Sequence, residues 1–160
     1  MKHYIIYMCL CSIAAYGQSQ NTIFYIGTSE DKDIVCYDLN FDANGIQPQN
    51  PIDYYWIYYS KGGIRQEITW LQRKMAYGYE INEASKMRIS IKVLSLKSKP
   101  VEVTLRNGKP EATTILNNKK CVLHHVYIVL ANNALDIPDY ALIYGSDINT
   151  GEQVIEKIKK

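Results

Sequence analysis

Tyr54-Tyr55-Trp56-Ile57-Tyr58-Tyr59 is the densest aromatic stretch of the chain. On an extended strand the side chains alternate, so Tyr54, Trp56 and Tyr58 share one face and Tyr55, Ile57 and Tyr59 the other. One face must feed a core. The other can offer rings to a sugar, a lipid or a partner protein, because aromatic side chains combine large apolar area with directional stacking. The plainer alternative is a central strand covered on both sides, to which tyrosine is suited by β propensity. Further on, Gln72-Arg73-Lys74 and Tyr77 add cations and a ring on a segment of helical spacing. The candidate ligand-binding set is therefore Tyr54, Trp56, Tyr58, Arg73 and Tyr77.

Three other groups carry chemistry. Asn40-x-Asp42-x-Asn44-Gly45 has the alternating oxygens of the front half of a calcium loop. The back half is missing, because Pro51 stands where the bidentate Glu belongs. Asn40, Asp42 and Asn44 are thus a weak calcium set, and a strand-connecting turn is the simpler reading. No other cofactor is expected. His124 and His125 are adjacent, and on a regular strand they would point to opposite faces, unable to share a metal. Either could act as a base with a carboxylate in a small hydrolase-like enzyme, although no nucleophile-elbow pattern accompanies them. Cys36 and Cys121 can form one disulfide in an oxidising compartment, or remain two buried thiols.

The elements that must position these residues are mostly strands. Met87, Ile89, Ile91 and Val93 alternate with polar residues, as do Val101, Val103 and Leu105. Asn107-Gly108 and Asn117-Asn118 separate such runs and suit tight turns with positive φ. Cys121 to Leu130 is apolar on both faces, as a central strand would be. Ile23 to Ile26, Ile34 to Leu39, Ile52 to Tyr59 and Tyr140 to Tyr144 complete about eight strands, which predicts an antiparallel β-sandwich or barrel. One short helix is expected from about Trp70 to Tyr77. Thr69 and Gln72 would form its capping box, Gly78 its stop, and Ile68, Leu71, Met75 and Tyr79 its apolar stripe. Gly151 to Lys160 fits either a capped helix or an edge strand.

Residues 1–17 have the layout of a secretory signal peptide: Lys2 and His3, an apolar run from Tyr4 to Ala15, and a small-x-small site at Ala15-Tyr16-Gly17. The expectation is cleavage near Gly17, with one mainly β domain over 18–160 in the periplasm or secreted. Eighteen basic and sixteen acidic side chains give a formal charge of +2, which argues against a dedicated nucleic-acid binder. No segment after the signal approaches the roughly 20 apolar residues of a membrane-spanning helix.

Taken together, Asn40-x-Asp42-x-Asn44-Gly45, Pro51-Ile52-Asp53-x-x-Trp56, Gln72-Arg73-Lys74-Met75-Ala76-Tyr77-Gly78 and Gly145-x-Asp147-x-x-Thr150-Gly151 resemble a family of exported bacterial proteins, domain of unknown function 4833. The likeness runs from about Ile23 to Ile158. It implies export and a shared fold, and it transfers no catalytic residue. The expected function is a non-enzymatic envelope or secreted module that binds a small molecule, a glycan or an envelope protein.

Overall fold

The computed structural model describes residues 19–131 and 138–159. The expected signal peptide and cleavage site lie outside the described residues. The strands are β1 (Thr22–Thr28), β2 (Ile34–Leu39), β3 (Phe41–Asp42), β4 (Gly45–Ile46), β5 (Ile52–Tyr58), β6 (Ile64–Glu67) and β7 (Tyr79–Ala84). They continue with β8 (Arg88–Val93), β9 (Val101–Arg106), β10 (Lys109–Leu116), β11 (Lys119–Leu130), β12 (Pro138–Asp147) and β13 (Gln153–Lys159). A helical turn, α1 (Trp70–Gln72), runs on into a π turn, Arg73–Tyr77.

The protein is mainly β, but it is neither a sandwich nor purely antiparallel. All strands except the small β3–β4 hairpin belong to one curled mixed sheet, a half-barrel with a continuous path β6-β5-β2-β1-β11-β10-β9-β8-β7. The departure from antiparallel order is β1, which runs parallel to β11 in register Tyr25 with His125 through Thr28 with Ile128. The alternation in β8 and β9 does what it predicts: Ile89, Ile91, Val93, Val101 and Val103 are buried on the inner face. Asn107, Gly108, Asn117 and Asn118 all have positive φ, the left-handed geometry of two-residue hairpin turns. The C-terminal segment is the edge strand β13, paired only with β12.

β11 is the hub of the sheet. One of its edges carries β12 from Cys121 to Leu130. Along its other edge it pairs first with β10, at Lys119 to Val122, and then with β1, from His125 onward. Leu123 and His124 pair with neither. Extending either ladder by two residues would claim the same two positions, so β1 and β10 diverge there and the sheet forks.

The curl encloses a core built from every major strand, including Phe24, Tyr37, Leu39, Leu116, Leu123, Val126 and Ile143. A second, smaller cluster of Ile34, Cys36, Tyr55 and Ile57 lies on the opposite face of β2 and β5. Of the two readings for the cysteines, that division excludes the disulfide and leaves two buried thiols. Cys36 belongs to the outer cluster and Cys121 to the inner core, and both are free thiols. They are also two strand spacings apart, about 10 Å, beyond the reach of a disulfide. Burial first, and then the Asp38 carboxylate, push the Cys36 thiol up to about 12, so it is an inert packing group.

Candidate functional site

The expected aromatic set does assemble. Tyr37 stacks on Phe24 at 4.5 Å and on Tyr54 at 5.7 Å, and Tyr79 meets Tyr54 edge-on. Trp56 stacks on Tyr58 at 5.5 Å and takes the edge of Tyr77 at 5.3 Å. The Arg73 guanidinium sits 5.1 Å from the Tyr54 ring. Tyr54, Trp56, Tyr58, Arg73 and Tyr77 are all half-buried, and much of their ring surface is already in contact with one another.

Hydrogen bonds show what this packing achieves. Tyr37 Oη donates to the Tyr77 carbonyl at 2.8 Å, Trp56 Nε1 to Gln72 Oε1 at 3.3 Å, and Arg73 Nε to the Ile68 carbonyl at 3.0 Å. The Thr69–Gln72 capping box is present, so Gln72 secures both the helix start and Trp56. The Tyr37 and Trp56 bonds fasten the helical turn to the sheet.

The apolar stripe is a correction. Ile68 is buried, but Leu71 is 60% exposed and Met75 74% exposed, as is Trp70 at 67%. Thr69 is extended, with φ -64° and ψ 155°, so the buried Ile68 lies off the helix and does not set the face that Leu71 and Met75 share. Beyond α1 the turn widens, and Gly78 N–H donates to the carbonyl of Arg73 rather than Lys74. Gly78 closes the turn as expected, though not through a left-handed φ. A β-carbon there would lie 2.2 Å from the Arg73 oxygen.

Asn40 directly precedes β3, Asp42 ends it, and Asn44 lies in the turn from β3 into β4. Asp42 Oδ1 accepts from the Asn44 amide at 2.7 Å, and Asn40 Nδ2 donates to the Asn50 carbonyl. Among the described residues no three His, Cys, Asp or Glu side chains are grouped to hold a metal ion.

The histidines differ most from expectation. Leu123 pairs with Gly145 and His125 with Tyr144, so His124 is an extra residue, a β-bulge. Leu123 and Val126 both face the core, leaving His124 and His125 to share the single outward position between them. The bulge therefore brings side by side two imidazoles that a regular strand would separate. His125 is stacked between Tyr25 at 5.0 Å and Tyr144 at 4.3 Å. Burial, and then the neighbouring His124, hold His125 below the ordinary histidine range, so it is neutral at pH 7. His124 Nε2 is hydrogen-bonded to Ser146 Oγ. Among the described residues neither histidine bonds a carboxylate.

Both histidines line a cavity of about 660 Å³ in the fork itself. Its walls are the unpaired stretches of three strand edges: 22–24 of β1, 109–112 of β10 and 123–124 of β11. Phe24, Ala112 and Leu123 supply an apolar floor, while Arg106, Lys109 and Glu111 stand at the charged side. Sequence reasoning missed this site. The histidine pair was its one visible signal, and the bulge that gives the pair meaning depends on β12, some twenty residues downstream.

Among the described residues no helix is long and apolar enough to cross a membrane. No curated protein and no solved structure matches the chain. A family model matches residues 24–157, which is most of the chain and spans β1 through β13 with the fork included. The protein belongs to the DUF4833 family, a domain of unknown function.

Proposed function

We propose that the protein is a non-enzymatic binding module, exported to the periplasm or secreted after removal of residues 1–17, with the fork as its ligand pocket. The observation that supports this is the cavity between β1, β10 and β11. Its volume of about 660 Å³ falls within the range of small-molecule sites, roughly 300–1,000 Å³, and it combines an apolar floor with a few polar groups. It is held open by strand pairing: β10 and β1 each complete a ladder with β11 and compete for the residues between. The hydrolase-like alternative needs a histidine oriented by a carboxylate. Glu111 lines the same cavity, but without a hydrogen bond to either imidazole the binding reading is preferred.

The test is native mass spectrometry of the full chain purified from the cells that make it. Wild-type protein is expected to carry a small-molecule adduct. Val122→Trp, which places an indole in the cavity from a half-buried position on β11, should keep the β-sheet circular dichroism signal and lose the adduct. An adduct retained in Val122→Trp, or a bare chain in both proteins, contradicts the fork as the pocket.

A further inference from the structure

We infer that the ligand held in the fork is a small organic anion, with its carboxylate or phosphate at the Arg106–Lys109 side and its apolar body against Tyr25, Pro110 and Val122. The inference rests on the fork being the pocket and adds the chemical class of its occupant.

The chain has four arginines. Arg65 is paired with Asp53 and lies over the Tyr55 ring; Arg73 is near Glu67 and over Tyr54; Arg88 is paired with Glu102. Arg106 has no carboxylate, ring or hydrogen-bond partner among the described residues, and it is the one at the cavity. Lys109 is equally unpartnered and faces Arg106 directly across the Asn107-Gly108 turn. Like charges directly opposite on neighbouring strands repel, and among the described residues neither cation forms an ion pair with a carboxylate. An anion between them would do so, and guanidinium suits the flat geometry of a carboxylate or phosphate. His124 and His125 add ring nitrogens at the same cavity, placed together by the bulge. Glu111 is the one opposing charge, and two fixed cations outweigh it.

The floor argues against inorganic ions. Tyr25, Pro110 and Val122 line the cavity half-buried, above the buried Phe24, Ala112 and Leu123, and offer apolar surface that only a carbon body can cover.

The test uses naphthalene-2-carboxylate, with naphthalene-2-methanol as the uncharged probe of the same body, titrated into the full chain at pH 7 and followed by calorimetry. The carboxylate is expected to bind about tenfold more tightly than the alcohol, since charge-assisted hydrogen bonds are roughly twice as strong as neutral ones. Arg106→Gln should erase that preference, and Glu111→Gln should tighten carboxylate binding about threefold by removing the opposing charge. Arg106 is exposed at the end of a hairpin, so its variant should retain the wild-type melting temperature. Equal affinity for the two probes, or a preference untouched by both variants, overturns the anion and leaves the pocket standing. Failure of both probes to bind overturns the pocket and the anion together.

Discussion

Gly145→Ala should lower the stability of the protein by about 3 kcal/mol and abolish binding in the fork. Gly145 lies on β12 opposite the bulge, and its Cα is pressed against β11. A β-carbon there would stand 2.6 Å from the Val122 carbonyl oxygen, 3.0 Å from Leu116 Cδ1 and 3.1 Å from Cys121 Cβ. The first contact is backbone in the middle of the hub strand, which cannot move without disturbing the ladders to β10 and β12 at Val122. The two strands must separate or the bulge must shift, and either change displaces His124 and His125. For a domain of this size, 3 kcal/mol corresponds to a fall in melting temperature of about 10 °C. Gly27→Ala is the control: its β-carbon would find nothing nearer than Ile34 Cγ2 at 3.6 Å, so it should melt close to wild type. Equal behaviour of the two variants would show that Gly145 is not the constraint that fixes the bulge.

Asp38→Ala should cost about 2–4 kcal/mol, the range for stripping a buried network of its common acceptor. Asp38 is buried on β2 and accepts three hydroxyls: Ser19 at 2.6 Å, Thr22 at 2.7 Å and Tyr55 at 2.9 Å. Removing the carboxylate leaves the Tyr55 hydroxyl without its acceptor and frees the start of β1, whose residues 22–24 form one wall of the fork. Tyr55→Phe removes a single donor and should cost less. Because the two groups act on each other, the double variant should lose less than the sum of the single losses, a coupling of about 1 kcal/mol measured by denaturant unfolding. Strict additivity would mean that the hydrogen bond contributes nothing to the fold.

Much of this architecture follows from local rules. Asn107-Gly108 and Asn117-Asn118 announce their turns because few residue types accept positive φ, and that choice is made within four residues. The alternation of β8 and β9 and the double-faced apolarity of β11 are likewise local. Thr69 and Gln72 find each other across a single helical turn. What escapes the sequence is decided at long range. The parallel pairing of Tyr25 with His125 joins residues a hundred positions apart, and nothing in β1 itself distinguishes a parallel partner from an antiparallel one. Leu71 and Met75 have helical spacing and do share a face, but the extended Thr69 takes the buried Ile68 off the helix, and the shared face is the outward one. β6 and β7 lack alternation because they are exposed edges with little to bury.

The candidate site was legible only in pieces. Tyr54, Trp56, Tyr58, Arg73 and Tyr77 do gather in space, because the helical turn lies over β5. Their mutual stacking explains their composition as a fastening for that turn, with Trp70, Leu71 and Met75 left outward. The histidine pair was visible as a pair, but its meaning was reversed by one inserted residue. The fork could not be read at all, since it arises from two strands competing for the same edge of a third.

The most direct measurement is a backbone amide shift map of the isotope-labelled full chain during titration with naphthalene-2-carboxylate. The fork account predicts that the largest shifts fall together at 22–25, 106–112 and 122–125, three segments distant in sequence that meet only at the fork. Shifts centred instead on the aromatic cluster and the turn at 70–77, or spread without focus over the sheet, would contradict it.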